Sequence, residues 1–402
     1  MPVVKSYQKP FHEAPANEMK SFGDIDSVIC CITDNILKDS PELVTDTAGS
    51  LLNEKKLESA VIRDIESHKY NYGIFRDELI QKVINFISGY GELQRYIEDE
   101  DITDIDGIRF NQFSIKRHGI RSKIPVSFSN ITMFDTYCRL IVMRNGGVLN
   151  KNECCRAVDV KNRLRICISI SPGNITGPAI SIRKHRRESL GLEDLQGLGM
   201  LDGELTGMIK RLAAEDVSVI FCGKSAAGKT TLLRAFINSL PEMDRVHIVE
   251  SEAEIYPDKL YCIEQQIKKQ NEDGSTATLK GLARDALAMP MDVYCVGDIS
   301  GDEALEFVKT TYSGYRGIAA LYSESAEAAL DRLYTLSKGA STAEDDKTIK
   351  EMLGRSINVV FYLKDFKVVE VLEVAGYDGG RDVFDYRRLY LRKDSEDKGR
   401  KG

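Results

Sequence analysis

The sequence predicts an α/β protein, in which a domain with a largely parallel sheet follows a small α+β domain. After Val217, six strand-like apolar runs alternate with helical segments, which is typical of a parallel sheet covered by helices. Between residues 102 and 184, apolar and polar residues alternate around glycines, as in short strands joined by turns. The 402 residues, 42% of them hydrophobic, can form one large or two medium domains, and this composition excludes general disorder.

Composition also limits the functional classes. The net charge of −7 and the pI near 5.5 argue against a protein that mainly coats nucleic acid. The nine cysteines show no C-x-x-C spacing, so neither a zinc ribbon nor a thioredoxin-like motif is indicated. The N-terminus lacks the apolar core of a signal peptide, and no stretch approaches about 20 apolar residues. We therefore expect a soluble cytoplasmic protein that contacts a membrane only through partners.

The first half of the chain predicts helices followed by short strands. Helical periodicity in the first 75 residues indicates a mostly helical extension. The run "FRDELIQKVINFISGYGELQRYIED" predicts an amphipathic helix broken at Gly89 and Gly91, and "MFDTYCRLIVMRNGG" a helix that ends at Gly146. The runs "RLRICISISP" and "PAISIRKH" read as strands that complete the α+β domain.

A charged linker and an α/β domain complete the chain. The basic run at residues 184–187 favours a solvated hinge, with contact to nucleic acid as the alternative. Near the C-terminus, "KVVEVLEVAGYD" is expected to pair antiparallel with "NVVFYLK". The predicted organisation is a helical extension at 1–75, an α+β domain at 76–185, a linker at 186–200, an α/β domain at 201–390 and a charged mobile tail at 391–402.

Residues 223–230, "GKSAAGKT", fit the phosphate-binding pattern G-x-x-x-x-G-K-[ST] in full. An apolar strand precedes this loop, and a helix that Pro241 stops follows it, so backbone N–H groups and the helix N-terminus point at a bound anion. Lys229 should reach the β- and γ-phosphates of ATP, and the Thr230 hydroxyl should hold Mg²⁺. The alternative is a glycine-rich turn without a ligand. The predicted nucleotide contacts are Gly223, Lys224, Ser225, Ala226, Ala227, Gly228, Lys229, Thr230 and Thr231.

Acidic residues follow two of the predicted strands downstream of the loop. Glu250 ends the run "RVHIVE", with Glu252 and Glu254 just after it, and Asp298 ends "VYCVGD". A P-loop enzyme needs acids at the ends of neighbouring strands, and both acids could face the phosphates. The alternative for each is an ordinary exposed acid after a strand.

The same residues resemble the type II/type IV secretion ATPases, most closely the CpaF-like branch that powers Tad pili. Residues 223–255, "GKSAAGKTTLLRAFINSLPEMDRVHIVESEAEI", are similar to two consecutive motifs of the family. The first motif is G-G-T-G-S-G-K-T-T-L-L-N-A-L, and the second is I-P-x-x-x-R-I-x-x-I-E-D-T-x-E-L. Pro241, Arg245, Glu250 and Glu254 are in register with the second motif. "GLARDALAMPMDVYCVGDISGDEA" is similar to L-V-R-x-A-L-R-M-R-P-D-x-I-I-V-G-E-V-R-G-x-E-A. The resemblance covers about residues 80–390.

This resemblance implies a bilobed subunit, with a PAS-like α+β N-terminal domain and a RecA-like P-loop NTPase domain. It also implies a homo-hexameric ring, peripheral at the inner face of the cell membrane, that works on an inner-membrane platform protein without direct contact to nucleic acid. Arginines of the first lobe would close on the phosphates. By position these are Arg165 and Arg183, with Arg186 or Arg187 as further candidates. The alternative for each arginine is a strand-end residue in a surface ion pair.

The chain departs from the family pattern at five positions. Asp298 stands for the Walker B glutamate, Ser300 and Ala288 stand for arginines, and Tyr315 and Tyr322 stand for histidines. Asp298 keeps a carboxylate that can order Mg²⁺-bound water. Tyrosine, in contrast to imidazole, does not change charge near neutral pH.

These departures leave more than one hypothesis for function. The first is an ATPase motor, in which Glu250 orients or deprotonates the attacking water. The second is a nucleotide-binding scaffold or regulator with weak or no turnover. A DNA-translocating or unrelated P-loop enzyme is the third.

Overall fold

The computed structural model describes residues 25–45, 51–68, 70, 73–147, 149, 154–170, 177–185, 189–267, 278–286, 288–340 and 343–392. The chain divides into two compact units, Met1–Arg187 and Glu188–Gly402. The candidate arginines Arg186 and Arg187 lie outside the described residues, as does nearly all of the predicted tail.

The first unit begins with helices that share one hydrophobic core. Helices α1, α3 and α4 contact one another, and α1 and α4 also contact α6. Their inward faces are apolar at helical spacing, as in Leu79, Val83 and Ile87 of α4. The helix predicted to break at Gly89 and Gly91 does so, since α4 ends at Ser88 and a 3-10 turn covers Gly91–Leu93. The helices are α1 (Ile25–Asp39), α2 (Glu42–Thr45), α3 (Leu51–Ser67), α4 (Arg76–Ser88), α5 (Gln94–Glu98) and α6 (Ile131–Arg144).

A six-stranded antiparallel sheet completes the first unit, in the order β3-β2-β1-β6-β5-β4. One face carries buried side chains, such as Leu164, Ile166 and Ile168 of β5, while Arg165 between them is exposed. The strands are β1 (Ile102–Arg109), β2 (Gln112–Arg117), β3 (Ile120–Ile124), β4 (Cys155–Asp159), β5 (Leu164–Ser169) and β6 (Ala179–Lys184).

The second unit is built on an eight-stranded sheet in the order β14-β13-β12-β7-β11-β10-β8-β9. Six of these strands run parallel, and β13 and β14 are added antiparallel at one edge. The antiparallel pairing of β12 with β13 confirms the pairing predicted for "NVVFYLK" and "KVVEVLEVAGYD". The strands are β7 (Val219–Gly223), β8 (Val246–Glu250), β9 (Cys262–Gln266), β10 (Val293–Ile299), β11 (Arg316–Leu321), β12 (Val359–Lys364), β13 (Lys367–Asp378) and β14 (Val383–Leu391).

Hydrophobic cores cover both faces of this sheet, and every residue of β7, β8 and β11 is buried. Burial on both faces explains why these strands read as continuous apolar runs rather than as alternating ones. Because β7, β8, β10, β11 and β12 are parallel, their carboxyl ends meet at one edge of the sheet, where ligands of such sheets bind. The helices are α7 (Leu192–Gly197), α8 (Gly203–Ala214), α9 (Lys229–Asn238), α10 (Leu279–Ala286), α11 (Glu303–Tyr312), α12 (Glu327–Lys338) and α13 (Asp346–Ser356).

Part of the predicted linker is helical in the structure. Helix α7 lies within residues 186–200, and its Leu192 and Leu195 are buried in the core of the second unit. The helices at residues 25–67, expected to form an extension, contribute to the core of the first unit. The domain boundaries derived from the sequence stay a prediction. Among the described residues, no helix has the length and apolar character that would let it cross a membrane.

Candidate phosphate-binding site

The phosphate loop begins at a glycine that the sheet itself requires. Gly223 ends β7 and pairs in register with Leu363 of β12. Its φ is +152°, and a Cβ atom here would lie 2.3 Å from the Leu363 carbonyl oxygen. Backbone can approach backbone this closely only without a side chain, so Gly223 fixes where the chain leaves the sheet.

The loop then turns through two residues in the left-handed region. Ala226 has φ +61° and Gly228 has φ +95°. A Cβ on Gly228 would lie 2.3 Å from Cε of Met200 and 2.9 Å from the Phe366 ring, so two apolar side chains press on the loop from outside. The family motif has a glycine at the position of Ala226. The left-handed conformation costs a non-glycine residue about 1–2 kcal/mol, so Ala226 is strained.

Helix α9 starts directly after this turn, and its N-terminus fits an anion. Gly228 is the N-cap residue and provides no side-chain cap. The first N–H groups of a helix have no partner within the helix, and the helix dipole places partial positive charge there. Thr230 and Thr231 are half-buried in this first turn. The cradle therefore suits the phosphate groups predicted from the sequence.

Lys229 carries a buried ammonium at the centre of the loop. Its Nζ donates to the carbonyl oxygen of Lys224 at 3.1 Å and lies 3.8 Å from the centre of the Tyr322 ring. Burial lowers the pKa of Lys229, while the negative charges of Asp298 and Glu254 act to raise it. The acids on β10 and after β8 therefore lie close enough to affect the charge of the loop lysine.

Glu250 is a buried acid at the end of β8. Both carboxylate oxygens accept from the backbone N–H groups of Glu254 and Ile255, at 3.2 to 3.4 Å. Burial raises the pKa of Glu250 to about 8, and the nearby Glu254 and Glu264 charges act in the same direction. The two N–H donors act against this shift but do not cancel it.

The neighbouring strand β10 is shaped to hold this acid. A Cβ on Gly297 would lie 2.8 Å from Cγ of Glu250, so the missing side chain makes room for the carboxylate. Asp298 follows directly in β10 and is half-buried. The residues predicted to serve the loop, Glu250 and Asp298, therefore lie on adjacent parallel strands at the edge where the loop begins.

The predicted magnesium ligands fit a metal held jointly with phosphates. No cluster of three or more His, Cys, Asp or Glu side chains within the described ranges could bind a metal without other ligands. The Thr230 hydroxyl at the start of α9 and the Asp298 carboxylate are oxygen donors of the kind that Mg²⁺ prefers. Mg²⁺ usually keeps several waters and is bound by substrate phosphates, so a sparse protein ligand set is compatible with it.

The two predicted arginines lie in the first unit, on its exposed sheet face. Arg165 of β5 and Arg183 of β6 are directly opposite each other in register. Arg183 donates from Nε to Oδ1 of Asp104 at 3.1 Å, and its side chain stays 61% exposed. Like charges opposite each other on a sheet are unfavourable, and Asp104 offsets this repulsion in part.

The positions that depart from the family pattern divide into two groups. Ala288 and Ser300 are exposed, and Ser300 contributes only its backbone N–H, which donates to Glu303 at 2.6 Å. Tyr315 is half-buried. The ring of Tyr322 contacts the ammonium of Lys229, and the sequence motif did not predict this contact. Met200 and Phe366, which contact Gly228, were also missed, because no local pattern reveals contacts between segments that are distant in sequence.

Together, the loop, the helix N-terminus and the acids on adjacent strands define a RecA-like P-loop NTPase domain, which follows an α+β domain in the sequence. The family model described as type II/IV secretion system protein matches residues 155–363, more than half of the 402 residues. The chain belongs to this family. The CpaF-like subtype stays a prediction.

Individual relatives are distant. A Mycobacterium tuberculosis (H37Rv) protein whose name refers to conjugal transfer is 26% identical over 155 residues, which are 38% of this chain and 44% of the relative. The matched part thus spans less than half of that protein. Protein VirB11 of Rhizobium radiobacter is 20% identical over 311 residues, 69% of this chain and 90% of the relative. The solved Legionella pneumophila ATPase DotB is similar with a TM-score of 0.48 at 15% identity, covering 75% of this chain and 80% of that one.

The first prediction concerns the left-handed alanine. Ala226→Gly should raise the free energy of unfolding by up to about 1 kcal/mol, because relief of the left-handed strain exceeds the entropy that glycine adds to the unfolded chain. Ala227→Gly is the matched control: Ala227 is buried and has no positive φ, so this variant should be destabilised. Urea unfolding of both variants measures the difference, and an equal loss in both would contradict the strain.

The second prediction concerns the buried acid. A group whose pKa is higher in the folded than in the unfolded chain binds more protons when folded, so its contribution to stability falls as pH rises between the two values. For Glu250 this window runs from about 4.5 to about 8. Glu250→Gln cannot titrate, so the variant should gain stability relative to the native chain as pH rises from 5 to 8.

Denaturant unfolding at several pH values measures this trend. Glu204→Gln is the control, because Glu204 is an exposed glutamate on a separate element, helix α8. A difference between Glu250→Gln and the native chain that stays constant from pH 5 to 8 would show that Glu250 is not held in its protonated form.

Proposed function

We propose that this chain is a cytoplasmic ATPase that binds and hydrolyses Mg-ATP to power pilus assembly or protein secretion through an inner-membrane platform. The observation that carries the proposal is the arrangement of Lys229, Glu250 and Asp298 at one edge of the parallel sheet. Membership of the type II/IV secretion system family supports the biological setting.

The loop supplies the binding energy for the triphosphate. Residues 223–230 wrap the phosphates with backbone N–H groups, and the N-terminus of α9 adds its partial positive charge. Lys229 brings a full positive charge to the terminal phosphates. The bound magnesium ion would neutralise charge on the β- and γ-phosphate oxygens, with Thr230 and Asp298 as its protein-side donors, Asp298 through water.

Glu250 is placed to act on the attacking water. In hydrolysis the water oxygen attacks the γ-phosphorus, the bond from that phosphorus to the bridging oxygen breaks, and ADP leaves. Glu250 orients the water and accepts its proton. A pKa raised to about 8 suits this role, since a general base works best when its pKa lies near the working pH.

The remaining assignments rest on the family resemblance. Arg165 and Arg183 would add positive charge to the phosphates as the nucleotide is turned over, and an arginine directed at the transferred phosphoryl group is worth about 10³–10⁵ in rate in other NTPases. A homo-hexamer at the inner face of the membrane, with a platform protein as partner, is the assembly that we expect. A Tad pilus, as in the CpaF-like branch, is the machine that the resemblance favours.

A specific observation favours the alternative, a catalytically weak nucleotide-binding scaffold or regulator of such a machine. The departures from the family pattern affect residues that serve hydrolysis. Asp298 is one methylene shorter than the family's glutamate, and Tyr315 and Tyr322 replace histidines. The loop that binds phosphate keeps its full motif. Binding therefore depends on an intact set of residues, and turnover on an altered one.

The third prediction separates binding from turnover. Lys229→Ala should weaken ATP binding by about 10²-fold, because the loop loses its buried positive charge. Glu250→Gln should retain binding but release no phosphate above the Lys229→Ala blank, because an amide cannot accept the proton. Equilibrium binding of a fluorescent ATP analogue and a phosphate-release assay measure the two quantities. Tight binding by the native chain without phosphate release would refute the motor and support the scaffold.

The fourth prediction concerns the shortened acid. Asp298→Glu adds the methylene that the family's Walker B residue has, and a displacement near 1 Å can cost about 10²-fold in rate. We expect this variant to hydrolyse ATP faster, by up to about 10²-fold, with little change in ATP affinity. Asp292→Glu is the control, because Asp292 immediately precedes the same strand and pairs with Arg245, at the opposite end of the strand from Asp298. A slower Asp298→Glu enzyme would mean that the backbone already compensates.

A further inference from the structure

The ammonium of Lys229 is held by one carbonyl and one aromatic ring. Its Nζ donates to the Lys224 carbonyl oxygen at 3.1 Å and lies 3.8 Å from the centre of the Tyr322 ring. A cation within about 6 Å of a ring centre is attracted by the negative face of the ring. The distance from Nζ to the ring centre is well inside this limit, and Lys229 is buried.

The sheet topology brings the two side chains together. Tyr322 follows β11, whose last residue, Leu321, pairs with Cys222 of β7. The phosphate loop leaves the sheet one residue later, at Gly223. Tyr322 thus lies at the carboxyl end of the strand next to the loop, and the residue is 44% exposed.

The chemical nature of this partner matters, because carboxylates are close as well. Asp298 and Glu254 both act on the charge of Lys229. A salt bridge to either acid would pair the lysine with a negative charge that competes with phosphate. An aromatic ring attracts the ammonium without neutralising it, and the ammonium keeps a donor direction beyond those used by the carbonyl and the ring.

We propose that Tyr322 is a positioning residue of the phosphate site, whose ring face holds the Lys229 ammonium in place for the terminal phosphates of a nucleoside triphosphate. This inference rests on the proposed function, because it assigns a role within the same site. An imidazole, which the family pattern has at this position, would repel the lysine whenever it carried a positive charge. The ring face of Tyr322 instead attracts the ammonium.

Two substitutions of Tyr322 test this role. Tyr322→Phe keeps the ring face, and Tyr322→Leu keeps an apolar side chain but removes the ring. We expect Tyr322→Leu to weaken the affinity for a fluorescent ATP analogue by about 3- to 30-fold, and Tyr322→Phe to restore it to within about twofold of the native value. The affinity for the corresponding AMP analogue should not change, since AMP lacks the phosphates that Lys229 reaches. Tyr312→Leu, at a similarly exposed tyrosine that ends α11, is the control.

A double-mutant cycle shows whether the effect passes through the lysine. Tyr322→Leu should cost ATP affinity in the native background and cost nothing further in the Lys229→Ala background. Thermal melts without nucleotide, compared with Tyr312→Leu, identify any general loss of folding. Tyr322→Met, which also lacks the ring, replaces the leucine variant if that variant is unstable.

The possible outcomes separate this role from the function itself. Equal or tighter ATP binding by Tyr322→Leu, or an equal loss for ATP and AMP analogues, overturns the positioning role while the native chain still binds ATP. A loss in Tyr322→Phe as large as in Tyr322→Leu assigns the effect to the hydroxyl and also overturns it. No ATP binding by the native chain overturns the proposed function, and the positioning role with it.

Discussion

The site in the second unit depends on the burial of one ammonium group. Lys229 cannot stay charged away from water without partners, because burial disfavours the charged form. The parallel sheet supplies those partners from separate strands: the Lys224 carbonyl just after β7, the Asp298 carboxylate on β10 and the Tyr322 ring after β11. Each lies at the same edge, because parallel strands end together. The strand order therefore determines which side chains can reach the loop lysine.

The site also depends on two glycines, because a side chain at either position would not fit. Gly223 lets the chain leave β7 against the Leu363 carbonyl, and Gly297 leaves room for the Glu250 carboxylate on the neighbouring strand. Any larger residue at either glycine would displace the loop or the acid. Ala226 shows the opposite case, since it adopts a left-handed conformation although it has a Cβ atom. The strain stored there is of the kind found at functional sites, where the surrounding structure enforces the conformation.

The sequence predicted what local patterns can encode. The motif spacing gave the loop, apolar runs gave the strands, and the acid after each run gave Glu250 and Asp298. Local patterns in the sequence could not predict contacts between distant segments. The pKa of Glu250 depends on how deeply the fold buries its carboxylate, which no motif specifies. From the sequence, Tyr322 was noted only as a replacement of a family histidine. Its contact with Lys229 could not be predicted, because the two residues are more than ninety positions apart and are brought together by the pairing of β11 with β7.

Burial acts on the two central titratable groups in opposite directions. It raises the pKa of Glu250 to about 8 and lowers that of Lys229, so both groups are shifted toward their neutral forms. A bound triphosphate would favour the charged lysine, and a bound divalent cation would favour the charged glutamate. A ligand that carries both charges would therefore stabilise the ammonium of Lys229 and the carboxylate of Glu250, the forms that hydrolysis requires. By linkage, the same charged forms would strengthen ligand binding, so the burial of Glu250 and Lys229 couples occupancy of the site to its readiness for chemistry.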